Sequence, residues 1–98
     1  MEIVCKIIEQ QPLQERETIK DGVKEIFASV RLKFMHGSDT FYGELLQESA
    51  RKAPQYQMNG EYVIDFSLKG REYETQDHRK MYDNRIVVNR IAEYWYGR

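Results

Sequence analysis

The chain has 98 residues, which is enough for one domain over 1–98 with a single core but too short for two. Hydrophobic residues make up 41% and charged residues 32%, a balance typical of globular rather than disordered proteins. Fifteen Lys and Arg against sixteen Asp and Glu leave a formal charge of -1, which excludes a histone-like basic protein and an acidic tail protein. Aromatic residues amount to 12%, so their rings must serve the core or a contact surface.

The cellular setting is suggested by features that the sequence lacks. Cys5 is the single cysteine, so no internal disulfide can form, and its place in an apolar run favours a buried free thiol. The N-terminus shows no basic and apolar regions of a signal peptide. No apolar run approaches the ~20 residues of a membrane helix. We therefore expect a cytoplasmic protein with no membrane partner.

Two strands joined through a polar loop are predicted for the first part of the chain. Ile3–Ile8 is apolar on both alternating faces, which favours a strand shared between two sheets. The polar stretch Gln10–Thr18 is predicted to be a loop, and Asp21-Gly22 to be a turn. Strict alternation over Val23–Phe34 predicts a long, half-buried strand. Its inward residues would be Ile26, Ala28, Val30, Leu32 and Phe34.

A third strand and a helix are predicted for the middle of the chain. Thr40–Gly43 begins the strand, and apolar residues spaced at i, i+4 and i+7 predict a short helix over Glu44–Ala53. Pro54 ends this helix, because proline disfavours helical backbone at the residue before it.

The last part of the chain is predicted to form a hairpin. Alternation over Glu61–Lys69 predicts the fourth strand, with Gly70 as a candidate bulge. The polar segment Glu74–Lys80 is expected to be the hairpin loop, and Tyr82–Tyr94 the last strand. Alternation fails in that last segment, so its faces are not assigned.

The predicted order is three strands, a short helix and two further strands. This is the order of the five-stranded Greek-key OB-fold barrel, so we expect an all-β fold with one short helix. In that fold the long first strand belongs to both sheets, which agrees with its two apolar faces. Phe34, Tyr62 and Phe66 are then expected in the core.

Support for catalysis is weak. His36 and His78 lie in predicted loops, and neither belongs to a spaced metal-ligand motif. Cys5 has no basic neighbours that would activate its thiol. The sequence contains no glycine-rich phosphate loop, nucleophile elbow or paired-carboxylate motif. We therefore predict a non-catalytic protein with no metal site and no cofactor.

Binding is better supported, because Phe27, Arg31 and Lys33 share the outer face of the second predicted strand. A ring followed by two cations suits single-stranded nucleic acid, since bases stack on the ring and cations follow the phosphates. Such binding to single-stranded DNA would be modest and sensitive to salt. Alternatively, Phe27 packs beneath another element or a partner subunit, and the two cations are only solvated.

A second candidate group follows the fourth strand into the last hairpin. Its members are Lys69, Arg71, Tyr73, Arg79, Lys80 and Tyr82. The loop between the last two strands forms one wall of the binding channel in many OB folds. Acidic residues interrupt this group, so an ordinary mixed-charge surface is the alternative.

The densest aromatic cluster consists of Tyr94, Trp95 and Tyr96. Tyr and Trp are favoured both as stacking platforms and at subunit interfaces. We expect the interface of a homodimer or higher homo-oligomer here. A protein-interaction or assembly module is therefore the alternative to nucleic-acid binding.

Several short segments resemble a known group of proteins. They are Glu44-Leu45-Leu46-Gln47-Glu48, Asn59-Gly60-Glu61-Tyr62-Val63-Ile64-Asp65-Phe66, Lys69-Gly70-Arg71-Glu72-Tyr73-Glu74 and Tyr82-Asp83-Asn84-Arg85-Ile86. With Met1-Glu2-Ile3 and Lys6-Ile7-Ile8, they resemble short bacterial OB-fold proteins of unassigned function, similar to single-stranded DNA-binding and primosomal replication proteins. The resemblance implies an OB fold, a homo-oligomer and a role with single-stranded DNA. No acidic tail of the replicative kind is present, so we expect an accessory replication, recombination or mobile-element role.

Overall fold

The computed structural model describes residues 1–94, except for the side chain of Arg71. Trp95 and Tyr96, predicted at an oligomer interface, lie outside the described residues. The described chain forms β1 (Glu2–Gln10), β2 (Gln14–Lys20), β3 (Val23–His36), β4 (Asp39–Leu46), α1 (Glu48–Arg51), β5 (Gly60–Glu74) and β6 (Lys80–Glu93). Within this part of the chain, no helix is long and apolar enough to cross a membrane.

Five of the strands close into a barrel. β1 pairs antiparallel with both β5 and β3, and β5 pairs antiparallel with β6. β6 then runs parallel to β4, which pairs antiparallel with β3 and completes the circuit. This connectivity is that of an OB-fold-like barrel. The prediction of an all-β fold with a five-stranded barrel and one short helix is therefore confirmed.

The loop predicted over Gln10–Thr18 is wrong, because β2 occupies most of it. β2 pairs with the first half of β3 through the turn at Asp21-Gly22, whose φ angles are 53° and 77°. Every residue of β2 is exposed, so the strand has no apolar alternation by which it could be predicted. β2 and the start of β3 extend beyond the barrel as a hairpin, the β2–β3 arm (residues 14–26).

The inward side of β3 supplies much of the core. Four of the five residues predicted there are buried, namely Ala28, Val30, Leu32 and Phe34. The fifth prediction is wrong, because Ile26 is 46% exposed. At Ile26 the strand has already left the barrel and pairs only with β2, so no second layer covers its side chain.

Aromatic rings fill the middle of the barrel. Phe34, Tyr62 and Phe66 are buried, as predicted. The rings of Phe34 and Phe41 are stacked with centroids 5.3 Å apart, and those of Phe41 and Phe66 lie 6.2 Å apart. Cys5 is also buried, which confirms the prediction of a core thiol.

The helix predicted over Glu44–Ala53 is confined to α1. Glu44–Leu46 instead continues β4, because its pairing with β3 places Leu45 in the core. Gln47 ends the strand through two hydrogen bonds to Ala28. Its backbone N–H donates to the Ala28 carbonyl oxygen at 2.8 Å, and its side-chain Oε1 accepts from the Ala28 N–H at 3.0 Å.

β5 and β6 form a long hairpin whose outer part also extends beyond the barrel. The bulge predicted at Gly70 is wrong, because Gly70 pairs regularly with Asn84. The irregularity lies between Asp65 and Phe66, where β6 carries Asn89 as an extra residue. An extra residue reverses the alternation along β6, which explains why its faces could not be assigned from the sequence. The outer part of this hairpin is the β5–β6 arm (residues 68–86).

Candidate nucleic-acid interface

Phe27, Arg31 and Lys33 lie on the outward side of β3, as the alternation predicted. Phe27 and Lys33 are half-buried and Arg31 is exposed. The register of β3 with β4 places Tyr42 opposite Lys33 and Glu44 opposite Arg31. These five residues form an outward surface between the two arms, named here the β3–β4 face.

Tyr42 is the ring around which the cations of this face gather. The guanidinium carbon of Arg31 lies 5.1 Å from the centroid of its ring, and Lys33 Nζ lies 5.5 Å from it. Both distances fall in the range of cation–π attraction. The Tyr42 residue is 43% exposed, so part of the ring stays open to solvent. The face therefore combines an accessible ring with two adjacent positive charges.

Tyr42 is absent from the residues predicted from the sequence, although the turn before β4 contains the necessary signal. The two-residue turn Gly37-Ser38 pairs His36 with Asp39. Counting back along both strands from that pair places Tyr42 beside Lys33, since register follows from turn length. Alternation within one strand assigns its two faces but does not give its register with a neighbouring strand. It therefore does not place Tyr42 beside Lys33.

A cavity of about 560 Å³ adjoins the β3–β4 face at the base of the β2–β3 arm. It is lined by Gln11, Gln14, Glu15, Arg16, Phe27, Ser29, Arg31, Glu44 and Arg85. Arg16 reaches it because β2 pairs this residue with Phe27. Arg16 is not among the predicted residues because β2 lacks the apolar alternation that marks a strand, and Arg85 is not among them because alternation does not assign the faces of β6.

Four cations of this region have no carboxylate within ion-pair distance among residues 1–70 and 72–94. They are Arg16, Arg31, Lys33 and Arg85. Elsewhere, Lys24 and Lys52 form ion pairs with Glu17 and Glu48. Lys6, Lys20, Lys69, Arg79 and Arg90 resemble the four cations in having no ion pair with a described residue. The unpaired cations are available to an external anion, which is what a phosphate backbone offers.

The second predicted group is divided by the β5–β6 arm, and one part continues the β3–β4 face. Lys69 pairs with Arg85 and therefore shares its side of the sheet. Tyr73 lies on the same side and is 41% exposed. Arg71 belongs to β5, but its side chain lies outside the described part of the chain.

The rest of the second group lies elsewhere on the arm. Lys80, predicted in the loop, is a strand residue of β6, because the described loop is limited to 75–79. Tyr82 lies in the last strand, as predicted. Both lie on the opposite side of the sheet, where Lys80 Nζ is 3.9 Å from a Glu72 carboxylate oxygen. Arg79 is an exposed residue of the loop itself. The structure therefore does not bring these six residues onto one surface.

Tyr94 is the one described member of the terminal aromatic cluster. It follows β6, is 37% exposed, and its N–H donates to the carbonyl oxygen of Glu61 at 3.3 Å. It lines a separate cavity of about 440 Å³ that also includes Lys6 and Glu93. The predicted oligomer interface stays a prediction.

The residues considered for catalysis are scattered. His36 Nδ1 lies 3.0 Å from the carbonyl oxygen of Val4, and His78 Nδ1 lies 3.1 Å from a Glu74 carboxylate oxygen. Burial raises the pKa of the Cys5 thiol to about 11, so at neutral pH the nucleophilic thiolate is scarce. No group of three His, Cys, Asp or Glu suited to a metal ion occurs in the portion of the chain covered by the structure.

A comparison of the chain with protein-family models and a comparison with curated proteins both find no match. An OB-fold-like barrel hosts many unrelated functions, so the fold alone assigns none. The residues of the β3–β4 face and its cavity are therefore the features that bear on function.

Proposed function

We propose that the protein is a non-catalytic OB-fold module that binds single-stranded DNA across the β3–β4 face. The observation that carries this proposal is the exposed Tyr42 ring flanked by Arg31 and Lys33. Single-stranded nucleic acid is bound by aromatic rings on which bases stack, combined with cations that follow the phosphates. The corresponding face of OB folds is also their usual oligonucleotide surface, between two hairpin loops.

The two rings of the face are spaced for more than one nucleotide. Phe27 and Lys33 are six residues apart on β3, and Tyr42 lies opposite Lys33. At ~3.3 Å per residue, the rings are separated by about 20 Å along the strand. A path of that length suits several nucleotides and agrees with the ~4–16 nucleotides that one OB fold covers.

The charge of the region also favours a polyanion, although the whole chain is slightly acidic. The cavity is lined by three arginines, Arg16, Arg31 and Arg85, against two carboxylates, Glu15 and Glu44, and Lys33 adds a fourth cation on the neighbouring β3–β4 face. A local excess of positive charge is enough to attract phosphates, and binding would weaken as salt rises. An accessory role in replication, recombination or mobile elements is part of this proposal and rests on the resemblance described above.

An assembly module is the second candidate, and exposed apolar residues on the arms favour it. Ile19 is 79% exposed, Leu68 67% and Tyr82 69%. Ile19 and Ile26 share the side of the β2–β3 arm that faces away from Phe27. These side chains would form subunit contacts, together with Tyr94.

Fluorescence anisotropy of a labelled oligothymidine at low salt tests the proposal. Arg31→Ala combined with Tyr42→Ala removes one cation and one ring from the β3–β4 face, and this variant is expected to lose most of the binding. Lys52→Ala combined with Tyr82→Ala likewise removes one cation and one tyrosine, but from other surfaces, and is expected to bind like the wild type. If the wild type does not bind and light scattering shows a stable oligomer, the assembly function replaces this one.

A further inference from the structure

The cavity beside the β3–β4 face contains a carboxylate that phosphate binding does not explain. Glu44 is half-buried and lies directly opposite Arg31. A negative charge at the centre of a surface for phosphates would weaken binding of the backbone. Its presence there calls for a ligand group that donates hydrogen bonds.

Glu44 does not serve as the ion-pair partner of its neighbour. The Arg31 guanidinium lies over the Tyr42 ring, 5.1 Å from its centroid. In the described part of the chain, no cation lies within 4.0 Å of the Glu44 carboxylate, and no group donates a hydrogen bond to it. Both carboxylate oxygens are therefore available as acceptors.

The other groups of the cavity suit a nucleobase that both donates and accepts. Arg85 and Phe27 line the same cavity as Glu44. Guanine presents two adjacent donors, N1–H and N2–H, on one edge and the acceptors O6 and N7 on the other. A carboxylate can accept both donors at once, an arginine can donate to O6 and N7, and a phenyl ring can stack on the base.

We infer that Glu44, Arg85 and Phe27 form a base-reading pocket that prefers guanine in single-stranded DNA. Thymine has a single N–H with a carbonyl oxygen on each side of it. These oxygens would face the Glu44 carboxylate and be repelled by it. Cytosine and adenine have one amino group beside an acceptor nitrogen, so each base can donate to only one of the two Glu44 carboxylate oxygens. The volume of about 560 Å³ lies within the ~300–1,000 Å³ of ligand pockets. The inference rests on the proposed function, because the rest of the strand must be held by the β3–β4 face.

Anisotropy titrations with matched strands test this preference. One probe is a labelled oligothymidine, and the other is the same strand with one central thymidine replaced by guanosine. The wild type is expected to bind the guanosine strand at least about fivefold more tightly, since a bidentate base contact discriminates at that level. Glu44→Gln is expected to abolish the preference while oligothymidine binding is kept or strengthened, which also shows that the variant is folded.

Glu25→Gln is the matched control, because Glu25 is an exposed carboxylate on the outward side of β3 within the β2–β3 arm. It removes the same charge and is expected to keep the preference for guanosine. Equal wild-type affinity for the two strands would overturn the guanine pocket and leave the proposed function intact. Loss of the preference in Glu25→Gln as well would also overturn it, because the effect would then be one of overall charge. Failure of both strands to bind would overturn the inference together with the proposed function.

Discussion

Tyr42 lies beside two cations, Arg31 and Lys33, on an open face, and its contribution to binding can be separated from theirs. Tyr42→Ala is expected to weaken oligothymidine binding roughly 5- to 150-fold, because stacking of a base on an aromatic side chain contributes ~1–3 kcal/mol. Tyr42→Phe keeps the ring and is expected to retain most of the affinity. Anisotropy titrations of both variants measure this difference. If Tyr42→Phe loses as much affinity as Tyr42→Ala, stacking is not the basis of binding.

Cys5 gives the fold a dependence on pH that is unrelated to the interface. Burial raises the pKa of its thiol from 9.0 to about 11. Because the folded pKa exceeds the unfolded one, the thiol contributes its full stability below about pH 9, and this contribution is lost as the pH rises towards 11. At ~1.4 kcal/mol per pKa unit, the total loss approaches ~3 kcal/mol.

Urea unfolding of the wild type and of Cys5→Ala, near neutral pH and at about pH 10.5, measures this effect. We expect the free energy of unfolding of the wild type to fall more steeply between the two pH values. Ionisation of Tyr and Lys affects both proteins alike and cancels in the comparison. Equal declines would show that the buried thiol does not titrate as described.

The outward positions of Phe27, Arg31 and Lys33 could be predicted because alternation assigns the faces of a half-buried strand. Tyr42 required the register between two strands, and Arg16 required a strand that no pattern revealed. The cluster around the cavity depends on four separate strands and on Gln11, which follows β1. Pairings of that kind are set by tertiary contacts, which a single sequence does not display.

Within the elements, β4 contains a glycine at which a side chain would crowd the core. A Cβ at Gly43 would lie 3.0 Å from both Phe34 Cε2 and Val88 Cγ2. Gly43→Ala is therefore expected to lower the free energy of unfolding by ~1–3 kcal/mol, the usual range for overpacking a core. Chemical denaturation measures this loss.

Gly70→Ala is the matched control, because it lies in a strand of the β5–β6 arm. Among the described residues, a Cβ there meets only Asn84 Oδ1, at 3.4 Å. We expect little change in the free energy of unfolding for this variant. Equal losses at Gly43 and Gly70 would mean that the packing of Phe34 and Val88 is not what constrains Gly43.

The elements that could not be predicted are those without a buried face and those in which the alternation of inward and outward side chains is interrupted. β2 is exposed along its whole length, so no periodicity marks it. The residues assigned to the start of the helix are also strand residues, since Leu45 packs into the core from β4. The bulge at Asn89 interrupts β6 because one extra residue exchanges its two faces.

At the scale of the whole molecule, the two arms make the protein elongated. Its radius of gyration is 16.0 Å, whereas a compact domain of this length has ~13 Å. The dimensions of 53 × 30 × 19 Å reflect the same extension. The barrel could be predicted from the order of strands around one helix, but the length of the arms could not, because exposed strands leave no hydrophobic pattern.

The arms lie on either side of the β3–β4 face, so a bound strand would pass between them. The cations of this face are expected to contact the phosphates of that strand. For single strands, the logarithm of the binding constant falls by ~0.7 per logarithm of salt concentration for each phosphate neutralised. Oligothymidine offers no guanine to Arg85, so all four unpaired cations can contact its phosphates, and they predict a slope of about -3.

The most direct test is the salt dependence of oligothymidine binding, measured by anisotropy for the wild type, Arg31→Ala and Lys52→Ala. The wild type is expected to give the slope of about -3, and Arg31→Ala to reduce its magnitude by about 0.7. Lys52 lies on α1 in an ion pair with Glu48, so its removal is expected to leave the slope unchanged. Binding that does not weaken with salt, or a slope that Arg31→Ala leaves as it is in the wild type, would show that these cations do not contact the phosphates.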